Sequence, residues 1–157
     1  MSDRPVVLLL SGPNLNLLGE REPALYGNDN LAAHVERARI RAHEHGLDIE
    51  HLQSNGESAL VEAVHSARGR TAAIVVNAGA LTHYSWSLSD ALAAYDGVVV
   101  ELHLTNPAAR EPWRHVSVVA PVADGTIAGF GGMGYALAMD AVARLLEAPD
   151  ASPGTVG

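Results

Sequence analysis

A chain of 157 residues, 48% of them apolar and 18% charged, suits one domain with a buried core and is too apolar for disorder. It holds no cysteine and no lysine, so disulfides, thiolate nucleophiles, Schiff-base catalysis and a P-loop lysine are all excluded. A net charge of −8 argues against nucleic acid as a partner, but leaves room for a small anionic substrate if a few arginines gather at one place.

In chain order, Val6 to Leu10 is a continuous apolar run that reads as a first strand. It is too short to span a membrane, and Met1 to Arg4 before it does not look like a leader, so a cytoplasmic protein with no membrane partner is expected. Gly19 to Gly27 is long and charged for a strand-to-helix connection, as lids often are. Asn28 to Asn30 can cap a helix that turns Leu31, Val35, Ala38 and Ala42 inward and ends at Gly46. Leu47 to Leu52 is the next strand, followed by a helix over Glu57 to Ala67. A strand at Ala72 to Val76 and a helix over Ser85 to Tyr95 come next, then strands at Val98 to Leu102 and Val116 to Val119. A last helix covers Gly134 to Glu147. Residues 1–148 thus read as a single catalytic domain, and the Pro/Gly/Ser-rich 149–157 as a flexible tail.

Strands alternating with helices predict an α/β fold, a flavodoxin-like three-layer sandwich with a five-stranded parallel sheet. Ligands of such sheets bind outside the carboxyl ends of the strands. Asn14, Gln53, Asn77, His83, Glu101, His103 and Thr105 all fall there, and not all of them are turn formers. On the lid, Arg21 stands near Tyr26 in sequence; a guanidinium beside a phenol favours phenolate, a base able to take a proton next to a carbonyl. Arg110 and Arg114 follow the fourth strand and suit carboxylate recognition.

Gly129 to Gly134 matches G-x-G-x-x-G, yet only one helix and a tail follow it. A dinucleotide site needs an early strand before the motif and an acid on the next strand, so these glycines read as close packing instead. His83, Asp90, Glu101 and His103 form no local metal motif, and neither metal nor cofactor is expected. The six histidines at 34, 43, 45, 51, 65 and 115 read as solvated.

Six strings then carry a family resemblance: GPNLNLLG at 12–19, REPALYG at 21–27, QSNGE at 53–57, NAGALTHYS at 77–85, ELHLTN at 101–106 and GFGGMGY at 129–135. From Val6 to Leu146 the chain resembles type II 3-dehydroquinase, the dehydratase of the shikimate and quinate pathways. The resemblance implies anti elimination of water from 3-dehydroquinate through an enolate, without metal or cofactor, in a dodecamer built as a tetramer of trimers. By the same resemblance Tyr26 is the base at C2, Arg21 the lid arginine beside it, and Arg110 a second arginine near the phenol. Asn14 orients the base or a water, His103 protonates the departing hydroxyl, and Glu101 orients His103. Asn77, His83, Leu104, Thr105 and Arg114 bind the carboxylate and hydroxyls, and Asp90 reaches the site of a neighbouring subunit. Pro112 and Trp113 depart from the Glu and Phe frequent in relatives, which leaves a paralogue acting on a related cyclic hydroxy-ketone carboxylate as an alternative. A flavin-binding module of the same fold is the other rival, but Pro13-Asn14-Leu15 makes a poor phosphate cradle.

Overall fold

The computed structural model describes residues 2–148, so the expected tail at 149–157 lies outside the described residues. One parallel sheet holds β1 (Val6–Ser11), β2 (Asp48–Gln53), β3 (Ala73–Asn77), β4 (Val98–His103) and β5 (Gly125–Ala128). Their spatial order is β2-β1-β3-β4-β5, the flavodoxin-like order that reverses direction beside β1 and β3. The helices are α1 (Pro23–Tyr26), α2 (Leu31–Glu44), α3 (Glu57–Ala67), α4 (Trp86–Ala93) and α5 (Met133–Glu147). None of them is long and apolar enough to cross a membrane.

Successive side chains of a strand point to opposite faces, so the apolar runs of β1, β3 and β4 feed two cores at once. Val7, Leu9, Val75 and Val100 pack with Val35, Ala38, Tyr135 and Val142 of α2 and α5. Leu8, Leu10, Ile74 and Val76 pack with Leu60, Val64, Leu88 and Leu92 of α3 and α4. Helix α2 begins where expected because the Asn30 side chain accepts from the Ala33 N–H at 2.9 Å.

The fifth strand is not where the apolar run suggested. Val118 and Val119 are buried, but the backbone of 116–119 bonds outside any ladder. The Val118 N–H donates to the Thr82 carbonyl at 2.8 Å, and the Val116 carbonyl accepts from His83. The segment then runs into a short 3-10 turn at Ala120–Val122 that contains Pro121. Strand β5 lies later, in Gly-Thr-Ile-Ala, where a glycine and one large apolar side chain give almost no strand pattern.

Two histidines expected in solvent are not there. His34 is only 2% exposed, its ring stacked on Tyr135 with centroids 5.0 Å apart. It belongs to the stripe of α2 that faces α5, one residue before Val35 and four before Ala38. His51 is half-buried, with Nε2 3.0 Å from the Ser11 hydroxyl. Burial pushes the proton affinity of both rings below the ordinary value of 6.5, helped by Arg37 at His34 and Arg39 at His51, with Asp29 opposing at His34. Below that value the unfolded chain binds protons that the native rings resist, so stability is full above about pH 6.5 and falls as pH drops. The thermal midpoint should therefore decline between pH 7.5 and 5.5, and His51→Gln should flatten that decline. Equal midpoints at both pH values would contradict the burial of these rings.

The glycine-rich segment before α5 does serve close packing. A Cβ at Gly132 would lie 2.8 Å from His34 Cε1, and one at Gly134 3.0 Å from Leu102 Cδ1. Gly12 is tighter still. Its N–H donates to the Asn77 carbonyl at 2.8 Å, and a Cβ there would sit 2.5 Å from the Ala78 carbonyl oxygen. Backbone stands on both sides of that contact, so neither can yield cheaply. Gly12→Ala should cost about 1–3 kcal/mol in a denaturant titration, an overpacking penalty. An unchanged midpoint would show that the β1–β3 junction gives way.

Candidate active site

The carboxyl ends of β1, β3 and β4 open into a cleft of about 560 Å³, mouth included. Asn14, Arg21, Tyr26, Asn77, His83, His103, Leu104, Thr105, Arg110 and Arg114 line it. Three guanidiniums thus face the space, and among the described residues no carboxylate side chain lines it. In a chain of net charge −8, that concentration of positive charge marks a place for an anion.

The loop after β1 is held by local geometry. Asn14 adopts a left-handed conformation, φ 68° and ψ −2°, which asparagine tolerates better than most residues. Its N–H donates to Asn55 Oδ1 at 3.0 Å, and Gln53 Nε2 donates both to that oxygen and to the Gly12 carbonyl. Gln53 is therefore part of the frame and does not line the cleft.

On the lid, Glu22 is also left-handed, φ 40°, and starts the single turn of α1 that carries Tyr26. Arg110 Nη2 donates to the Tyr26 hydroxyl at 2.9 Å, while its Nη1 donates to Thr105 Oγ1 at 3.1 Å. Arg21 lies over the phenol ring, Cζ 4.8 Å from its centroid. The arginine that reaches the oxygen is thus Arg110, with Arg21 on the ring face. A 3-10 turn at Pro107–Ala109, capped by Asn106, brings Arg110 across to the lid.

His103 and Glu101 form a buried pair at the end of β4, with Nε2 2.8 Å from Glu101 Oε2. Glu101 is 1% exposed and takes two further bonds, from Ser117 Oγ at 2.6 Å and Thr126 Oγ1 at 2.9 Å. Burial is the largest influence on this carboxyl and opposes its charge; the bonds from His103, Ser117 and Thr126 outweigh it and hold its proton affinity below the usual value. An ionised carboxylate can only accept, so His103 presents Nε2–H to it and keeps Nδ1 for a ligand. At the other wall, His83 Nδ1 donates to the Val116 carbonyl at 2.7 Å, which leaves Nε2 as the acceptor of the neutral ring. Desolvation favours that neutral form.

Asn77 is buried, and its Oδ1 accepts from the Gly79 N–H at 3.3 Å. Arg114 stacks on Trp113, Cζ 4.0 Å from the ring centroid, and pairs with Glu111. Trp113 in turn meets His83 edge-on at 5.6 Å. Asp90 stands apart, exposed on α4 and outside the cleft of its own chain.

This geometry coincides with a family match over nearly the whole chain. The profile described as "Dehydroquinase class II" matches residues 5–143. The chain belongs to that family. Its similarity to 3-dehydroquinate dehydratase 2 of Pseudomonas putida is 49% identity over 92% of this chain and 97% of the relative. To the 3-dehydroquinate dehydratase of Desulforudis audaxviator it is 53% identical, covering 90% of this chain and 94% of the other. The crystal structure of type II dehydroquinase from Butyrivibrio crossotus superposes with a TM-score of 0.86 at 39% identity, over 88% of this chain and 97% of that one.

Within a dehydroquinase frame, the residues not anticipated from the sequence are the two that give hydroxyl protons to Glu101. Thr126 pairs in register with Glu101 across β4 and β5. Ser117 lies in the segment misread as a strand. No local motif marks either one; only the register of the true fifth strand brings Thr126 to the carboxylate.

Proposed function

We propose that the cleft dehydrates 3-dehydroquinate to 3-dehydroshikimate, with Tyr26 as base and His103 as acid. The observation that carries this reading is one cleft lined both by a phenol hydroxyl bonded to a guanidinium and by a histidine backed by a buried carboxylate. The Tyr26 oxygen, with Arg110 beside it to bear phenolate charge, takes the proton from C2 of the substrate. The C–H electrons move into an enolate, whose oxygen is stabilised by fixed donors or a water near Asn14. His103, protonated on Nδ1, gives that proton to the C1 hydroxyl as the C–O bond breaks, and water leaves. Glu101 balances the imidazolium and fixes its ring.

Arg114, Asn77, His83 and the backbone of Leu104 and Thr105 hold the carboxylate and hydroxyls in this scheme, with Arg21 closing over the lid side. The scheme calls on no metal: Tyr26 removes the proton and His103 gives one. The reading includes a cytoplasmic enzyme of the shikimate or quinate pathway, assembled as a dodecamer in which Asp90 meets a neighbouring site. Trp86, 72% exposed on the same helix as Asp90, supports burial of that helix face between copies.

Purified protein with 3-dehydroquinate should produce the ultraviolet absorbance of the conjugated enone, undiminished by EDTA. A folded protein without turnover would overturn the substrate assignment, and a metal-restorable loss would overturn the metal-free route.

A further inference from the structure

We propose that Ser117 and Thr126 are positioning residues for the acid: they hold Glu101 as an oriented carboxylate and so keep His103 Nδ1 available to the substrate. The inference rests on the reading of His103 as the proton donor. It begins with the hydrogens. Ser117 Oγ accepts from the Val119 N–H at 3.1 Å and from the Ala120 N–H at 3.0 Å. Both lone pairs are then occupied, so its one proton goes to Glu101 Oε2 at 2.6 Å. Thr126 stands opposite Glu101 on β5 and gives its proton to the other oxygen, Oε1, at 2.9 Å.

With a donor on each oxygen, the carboxylate plane is fixed and the remaining strong position on Oε2 falls to His103. Two protein hydroxyls therefore set which nitrogen of His103 carries its resting proton. The titratable group that acts on this carboxyl is His103 on its own strand, while across the cleft His83 feels His103, Arg114 and Glu101. His83 is itself held by the carbonyl of Val116, the residue before Ser117. One strap, 116–118, thus anchors the histidine of one wall and the carboxylate behind the other.

Without these donors, burial, the largest influence on Glu101, is opposed by His103 alone, and the neutral form gains. A neutral carboxyl neither supports an imidazolium nor fixes the His103 tautomer. The test compares kcat, KM and the pH profile of kcat with 3-dehydroquinate for Thr126→Val, Ser117→Ala, Ser117→Thr and the double Ser117→Ala/Thr126→Val variant. Thr126→Val is the cleaner probe, because Ser117→Ala also loses the bonds that start the Ala120–Val122 turn. Each single loss should lower kcat about tenfold, as expected for a hydrogen bond to a charged group. KM should change less than about twofold, and the alkaline side of the profile, where the proton donor is lost, should move down by about one pH unit. Ser117→Thr should restore kcat, and the double variant should lose more than either single one.

A Thr126→Val enzyme with native kcat and a native alkaline side would overturn the proposal. His103→Ala separates the two levels. Native turnover in His103→Ala sinks the acid assignment itself, whereas an inactive His103→Ala beside a native Thr126→Val sinks only the role of the hydroxyls.

Discussion

Tyr26→Phe should turn over 3-dehydroquinate about a thousandfold more slowly than the native chain, with the fold unchanged. The phenylalanine keeps the ring that packs against the core cluster and against Arg21, and removes only the oxygen. That oxygen is the group to which Arg110 donates at 2.9 Å. A thousandfold loss corresponds to about 4 kcal/mol of barrier, within the range of a positioned general base. The stability cost is smaller: one partly exposed hydrogen bond contributes about 0.5–1.5 kcal/mol. Chemistry and folding are therefore separable in this variant. Arg110→Ala should lose more than Arg21→Ala, since Arg110 touches the oxygen and Arg21 only the ring face. Steady-state kinetics with circular dichroism on the same samples checks both statements. Near-native kcat in a folded Tyr26→Phe protein would remove the tyrosine from its role.

His103→Ala should be comparably impaired, by about a hundredfold or more in kcat with KM little changed. The imidazole provides the proton that lets hydroxide leave as water, and β4 carries no other histidine and no arginine. Folding should survive, because Glu101 keeps Ser117 and Thr126 as donors when the histidine is gone. A large rise in KM at constant kcat would instead make His103 a binding group.

How far the sequence carries these conclusions depends on the type of residue. Continuous apolar runs bounded by Asn, Gly or His placed β1, β3 and β4, and the ends of those strands carry most of the cleft. Asn30 and Gly46 marked the limits of α2 through ordinary capping chemistry. The fifth strand was missed because burial and strand pairing differ: Val118 and Val119 are buried in a connector, whereas β5 is a short edge with half its residues exposed. That one error hid Thr126 and Ser117, whose meaning depends on their neighbours across the sheet. His34 was misplaced for a related reason, since imidazole on a helix resembles a surface residue until Tyr135 of α5 stacks on it. The ranking of Arg110 against Arg21 was equally out of reach, because 84 residues separate Arg110 from Tyr26.

The division of labour between Tyr26 and His103 is tested most directly by exchange of the C2 proton. In D2O, with 3-dehydroquinate followed by proton NMR and corrected for the enzyme-free rate, His103→Ala should still wash deuterium into C2 while forming little product. The base and the enolate are intact in that variant, and only departure of the hydroxyl is blocked. Tyr26→Phe should show neither exchange nor product. Exchange at C2 by folded Tyr26→Phe protein would contradict the account, because some other group would then be removing the proton.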